Sequence, residues 1–229
     1  MKYGWVCGSA PIFLRKGIYM EVKLGEKNAK KIPVYIDGEL LGALFPKEID
    51  AYSLISEDEI GEEKYSEILE ETLLPRAKRY VMNLLIKSDK TEAELKRKLR
   101  SALYGEEVSE RAIEYVRGYH YIDELRTATA YIRTKMDSAS EKEIRYKLEE
   151  KGIDDETIDM AYDRILEEMG DIENSELNAA IGFIKKRLGS RAGDTEEMPY
   201  EEKQKLMAAA YRKGFMAESI RMALSRLEE

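Results

Sequence analysis

Two periodicities divide the chain. From residue 18, apolar Ile18, Met20, Val22 and Leu24 alternate with Tyr19, Glu21 and Lys23, the period of two of a half-buried strand. A polar loop with Gly25 and Asn28 leads to Ile32–Ile36, and Asp37-Gly38 separates that run from a second apolar stretch, 39–45. Asp-Gly between two apolar runs predicts a hairpin, because both central residues of a type I′ turn need positive φ. Pro46 suits the first position of a short helix over 46–52. Tyr65, Ile68, Leu69 and Leu73 give one apolar face to a second helix over about 62–74. The expectation is a small sheet of about three strands with helices over it. An exposed edge of such a sheet offers a route to a dimer. Residues 1–16 read as a tail.

From residue 76 the period becomes 3.6. Ala77, Tyr80, Val81, Leu84 and Leu85 form the first stripe; Leu95 and Leu99, then Ile113 and Val116, form the next two. The pattern continues through Ala128 and Ile132, Ile144 and Leu148, Ile158 and Ile165, Ile181 and Ile184, Leu206 and Ala210, and Ile220 and Leu224. Nine amphipathic helices are predicted, each with one apolar stripe. Residues 76–198 contain no proline to interrupt them.

The nine are three times three. Residues 91–99 (TEAELKRKL) match residues 140–148 (SEKEIRYKL). Thr91 with Glu94, and Ser140 with Glu143, have the spacing of a capping box, hydroxyl to the third backbone N–H and carboxylate back to the first. Each cap contributes roughly 1 kcal/mol. Lys151-Gly152-Ile153 matches Lys213-Gly214-Phe215, a glycine placed to close a helix in the left-handed conformation. The first set carries an insertion around Tyr104-Gly105-Glu106-Glu107, and the third an insertion in the Gly189–Pro199 loop. Position 202, aligned with Ser140, is Glu, so the third set is expected to lack its cap and to be looser. The domain organisation that follows is a strand-rich N-terminal part, 1–75, then three-helix repeats at 76–122, 123–172 and 173–229. The fold class is mainly α: three tandem three-helix repeats in an elongated array, behind a small α+β domain with a β-hairpin. Such units are marginal alone and become stable by stacking.

Composition narrows the function classes. Lys and Arg number 38 against 46 Asp and Glu, a net charge of −8, which opposes a dedicated nucleic-acid-binding protein. One Cys (Cys7) and one His (His120) leave no disulfide framework and no Cys/His zinc cluster. No run is apolar and long enough to span a membrane, and the first residues do not form a secretory signal. Gly189-Ser190-Arg191-Ala192-Gly193 lacks the Lys-Ser/Thr of a phosphate loop. A non-enzymatic cytoplasmic protein without cofactor, metal or small-molecule substrate is expected.

The three tandem units, the [ST]-E-x-E-[LI]-x-x-K-L segments and the Lys-Gly-apolar turn resemble the RecX family, bacterial regulators of the RecA recombinase. Tyr121-Ile122-Asp123-Glu124 resembles the family's Gly-Tyr-Leu-Asp-Asp, with His120 in place of the glycine, and residues 18–75 resemble the extension of longer members. The resemblance implies a protein that lies in the groove of the RecA–DNA filament and inhibits its ATPase, strand exchange and growth, in recombination, DNA repair and the SOS response. Contact with DNA would be indirect or weak. The alternative is a stand-alone nucleic-acid-binding protein of helix-turn-helix-like units.

Cationic helix faces are the candidate partner-binding residues: Lys96, Arg97, Arg100 and Arg117 in the first repeat, Arg133 and Lys135 in the second, and Lys185, Lys186, Arg187 and Arg191 in the third. The competing reading is a solvated face with i,i+4 pairs such as Glu92–Lys96 and Glu94–Lys98, each contributing ~0.2–0.5 kcal/mol. Tyr119, Tyr121 and Tyr131 are candidate anchors, with Tyr121 expected to pack at a junction. His120 is expected at a partly exposed junction.

Overall fold

The computed structural model describes residues 19–169, 173–189 and 198–228. The expected tail with Cys7, and Arg191 with its loop, lie outside the described residues. Two compact units are distinguished: the residues up to Ala77 together with Arg100–Arg111, and Lys78–Leu99 together with the residues from Ala112 on.

The first unit is built on an antiparallel sheet of β1 (Tyr19–Leu24), β2 (Ile32–Ile36), β3 (Glu39–Leu44) and β4 (Asp58–Gly61), in the order β3-β2-β1-β4. The alternation in β1 is realised, with Val22 buried and Tyr19, Glu21 and Lys23 exposed. Asp37 (φ +49) and Gly38 (φ +85) form the turn with both residues left-handed, as the hairpin signal requires. The strand beyond the expected three is β4. Two of its four residues are acidic and only Ile60 is buried, so it carries almost no strand signal of its own. Backbone pairing with β1, Met20 opposite Ile60, holds it in place.

Helix α1 (Pro46–Ala51) starts at its proline, and Glu48 accepts from the Phe45 N–H at 2.8 Å. The helices expected on either side of Pro75 form one continuous run instead. It comprises α2 (Glu62–Glu67), a π-helical turn (Ile68–Leu73) and α3 (Leu74–Lys87). Proline inside a helix lacks a donor and presses its ring on the carbonyl four residues back. The wider π turn just before Pro75, where the Leu74 N–H reaches back to the Leu69 carbonyl, accommodates it.

The first repeat's insertion also has a structural purpose. Gly105 N–H donates to the Leu41 carbonyl at 3.1 Å and Tyr104 bridges to Gly42, adding a short pairing to the open edge of β3. That edge is therefore partly covered within the chain, which narrows the route to a dimer. A Cβ on Gly105 would sit 1.8 Å from the Leu40 carbonyl oxygen, so only glycine permits this approach.

The remaining helices are α4 (Glu92–Ser101), α5 (Glu106–Gly118), α6 (Glu124–Lys135), α7 (Glu141–Glu150), α8 (Asp155–Met169), α9 (Glu173–Leu188), α10 (Tyr200–Arg212) and α11 (Ala217–Glu228). With α3 they form three tandem three-helix repeats. Each predicted stripe points inward. Leu95, Leu99, Ile113 and Val116 are buried in the first repeat. Ala128, Ile132, Ile144, Leu148, Ile158 and Ile165 share one core in the second, and Ile184, Leu206, Ala210, Phe215, Ile220 and Leu224 share another in the third. Each of the Leu, Ile, Val and Phe side chains contributes roughly 1.5–3 kcal/mol on burial.

Candidate functional site

The site begins with the contacts between repeats. Thr91 opens α4 with the full capping box: its Oγ1 accepts from the Glu94 N–H, and Glu94 accepts from the Thr91 N–H, both at 3.1 Å. The same hydroxyl donates to the carbonyl of Lys151 at the end of α7, 2.5 Å away. Lys151 Nζ then returns to the Glu94 carboxylate at 2.7 Å. Gly152 holds φ +84, and a Cβ there would lie 2.4 Å from that of Ala93.

The next joint repeats the hydroxyl and lysine contacts. Ser140 Oγ accepts from the Glu143 N–H at 3.2 Å and donates to the Lys213 carbonyl at 2.8 Å. Lys213 Nζ pairs with Glu143 at 2.7 Å. Gly214 holds φ +96, with space for a Cβ blocked 2.8 Å away by Lys142. Thr91 and Ser140 are both fully buried. The cap of one repeat is thus the socket for the Lys-Gly turn of the next. Burial would raise the carboxyl pKa of Glu94. Hydrogen bonds from Lys151 and the Thr91 N–H, with the positive charges of Lys151 and Lys90, outweigh that and hold it below the ordinary glutamate value.

A groove of about 880 Å³ opens beside the second joint. It is lined by residues of the end of α6, of α7 and of α9, and by Lys213. Its lining includes Lys135, Lys147, Lys186, Arg187 and Lys213, with Asp137 and Glu143 and the apolar Ile144, Ala179 and Phe183. A smaller groove of about 360 Å³ opens at the first joint, lined by Arg97, Tyr131, Lys147, Glu150 and Lys151. Tyr131 and Lys147 line both grooves. Cations suit the ends of α6 and α9, where backbone carbonyls carry partial negative charge.

The predicted cationic residues therefore have different placements. Lys135, Lys186 and Arg187 meet in the larger groove, with the Arg187 guanidinium 5.7 Å from the Phe183 ring centre. Arg97 lines the smaller one and donates to the Glu150 carbonyl across the joint at 2.9 Å. Lys185 is exposed on the last turn of α9. The others face acidic side chains: Lys96 and Arg117 share Glu92 (3.3 and 2.5 Å), Arg133 pairs with Glu168, and Arg100 lies 3.5 Å from Glu106. The Arg117 hydrogen bond is the main reason the Glu92 carboxyl lies below its ordinary pKa. The Glu92–Lys96 pair forms as expected, whereas Glu94 pairs with Lys151 across the joint.

The tyrosines correct one expectation. Tyr121 does not pack inside a junction: it is 48% exposed and stacks on Tyr119, itself 58% exposed, at 5.9 Å between ring centres. His120 is exposed and takes φ +56, the left-handed conformation that lets the Tyr121 N–H return to the Val116 carbonyl. Sequence reasoning did not assign Lys151, Lys213 or Phe183 to a binding surface. The available signal was the pairing of two patterns: caps in repeats one and two, Lys-Gly turns in repeats two and three. Among the described residues no group of three or more His, Cys, Asp or Glu side chains could hold a metal ion, and no helix is long and apolar enough to cross a membrane.

The order of these domains decides the relationship. Family models described as the first, second and third three-helix domains of RecX match residues 77–115, 123–161 and 174–224, in that order along the chain. The chain belongs to the RecX family. It is 25% identical over 213 residues to regulatory protein RecX of Clostridioides difficile (strain 630), covering 92% of this chain and 96% of that protein. With regulatory protein RecX of Clostridium acetobutylicum it shares 30% identity over 139 residues, 61% of this chain and 65% of that one. A crystal structure of regulatory protein RecX superposes with a TM-score of 0.57 at 20% identity, over 90% of this chain and 99% of the other. RecX from Lactobacillus salivarius gives 0.54 at 23% identity, over 68% and 97%. These two likenesses establish the fold. RecX proteins are a regulatory family, and the two joints are how this member assembles its three RecX domains.

Proposed function

We propose that this chain binds the RecA recombinase, or the groove of its DNA filament, and mostly inhibits ATP hydrolysis, strand exchange and filament growth. It would act in the cytoplasm, in recombination, DNA repair and the SOS response. The observation that carries this reading is the match of three consecutive RecX domains in order along the chain. The grooves beside the joints support it physically, because they offer a surface continued from one repeat to the next rather than an isolated pocket. Direct binding of nucleic acid is the second reading, favoured by the basic lining of the larger groove and opposed by the net charge of −8.

The test is RecA's DNA-dependent ATPase, measured with RecA from the same organism while this protein is titrated from substoichiometric to equimolar. The expected result is a falling rate at constant DNA. A rate unchanged across the titration would remove the proposal. Salt-dependent DNA binding in the absence of RecA, together with an unchanged ATPase, would put the second reading in its place.

A further inference from the structure

Taking the regulatory reading as its starting point, we infer that the groove between the second and third repeats binds an extended acidic segment of a partner polypeptide. The first support is charge. In a chain of net charge −8, Lys135, Lys186 and Arg187 converge on one groove and form no ion pair with a described residue. The other two cations of the lining have carboxylate partners, Lys147 with Glu150 and Lys213 with Glu143. Three cations without an ion-pair partner among the described residues, in one concave surface, attract an anionic ligand and favour carboxylates brought to them in a fixed order.

The second support is extent. The groove holds about 880 Å³, and Tyr131 and Lys147 line both it and the smaller groove at the first joint. Two adjoining grooves, one at each joint, fit an extended chain better than a compact ligand. The third support is the pattern within these grooves. Half-buried Phe183 adds an aromatic surface beside the cations, which suits a peptide whose acidic residues are interspersed with apolar ones. Asp137 and Glu143 line the larger groove and Glu150 the smaller one. A nucleic-acid strand carries a phosphate at every step and would meet each of these carboxylates. A peptide places its charges only where the cations are, so the mixed lining favours polypeptide over nucleic acid.

The test is fluorescence anisotropy at low salt, with a fluorescein-labelled dodecapeptide rich in Asp and Glu with interspersed Leu, beside labelled oligo(dT) of equal contour length. The full chain is expected to bind the peptide at least about tenfold more tightly than oligo(dT). Lys186→Glu with Arg187→Glu is expected to weaken the peptide by about tenfold or more. Reversing charge at the end of α9 opposes its dipole, so Lys135→Gln with Lys186→Gln serves as a second, milder variant with the same direction of change. No peptide binding, binding unchanged in both variants, or tighter oligo(dT) binding lost in both variants would each overturn the inference. The RecA ATPase assay separates it from the reading beneath it. If the wild type inhibits and both groove variants inhibit equally, the groove inference falls while the regulatory reading stands. If the wild type does not inhibit, the regulatory reading falls, and the anisotropy still decides whether the groove takes an acidic peptide.

Discussion

Helices α7 and α10 hold equivalent places in successive repeats and begin differently. α7 starts after Ser140, whose hydroxyl caps it and also holds the Lys213 carbonyl of the following repeat. α10 starts three residues earlier relative to that alignment, at Tyr200 behind Pro199, so position 202 lies inside the helix. The third repeat was expected to be looser for want of a cap. It instead carries extra helix across the place where a socket would be, with the N–H groups of Glu202 and Lys203 directed to the Pro199 carbonyl. The other end of the series is complementary. Leu103 stands where Gly152 and Gly214 stand and has the same left-handed backbone, φ +61, but carries a side chain. Left-handed geometry alone therefore does not demand glycine at these turns; the start of the neighbouring helix, with Ala93 or Lys142 lying where a Cβ would go, does. Caps occur where a repeat follows and glycine turns occur where a repeat precedes, so the difference is one of joints rather than of local helix strength.

The largest expected effect comes from filling a joint. Gly152→Ala adds left-handed strain and a close contact with Ala93, and should cost about 3 kcal/mol in urea denaturation. A cost below about 1 kcal/mol would mean that the joint yields easily. Ser140→Ala removes the cap and leaves the Lys213 carbonyl without its donor, for an expected loss of about 2 kcal/mol.

Acid should act on the first joint through Glu94. Its carboxyl pKa is lowered in the folded protein from the ordinary 4.5, so its contribution is present above that value and is lost as the pH falls through the folded pKa. In Glu94→Gln that part of the decline in urea midpoint between neutral pH and acid should disappear; an unaltered slope would show that the joint does not hold the charge. The smallest effect belongs to α10. Lys205 occupies the place of Glu143 but is exposed, and Lys205→Ala should change stability by no more than about 0.5 kcal/mol.

Most of the helical architecture was legible because each stripe is a local pattern with one solution: Leu95 and Leu99, or Ile144 and Leu148, can be buried together only on one helix face. The hairpin was legible for the same reason, since Asp37-Gly38 dictates its own backbone. What escaped reading depends on partners distant in sequence. β4 is a strand because β1 pairs with it, the helix runs through Pro75 because a π turn precedes it, and Tyr104-Gly105 leaves its repeat to pair with β3. The candidate site divides in the same way. Lys135, Lys186 and Arg187 were visible as cations at helix ends, but their convergence depends on how α6, α7 and α9 pack. Lys151 and Lys213 were read only as part of the Lys-Gly turns that their glycines close, and their role in the joint appears only when the cap they meet is seen.

The sharpest measurement is the stability of Thr91→Asp in urea. Aspartate is at least as good a helix cap as threonine but has no proton to give the Lys151 carbonyl. If Thr91 served only its own helix, the substitution would leave the midpoint unchanged or raise it, and that result would contradict the account. If Thr91 is the socket for the second repeat, a buried carboxylate will face a carbonyl oxygen across the joint, and stability should fall by about 2 kcal/mol or more.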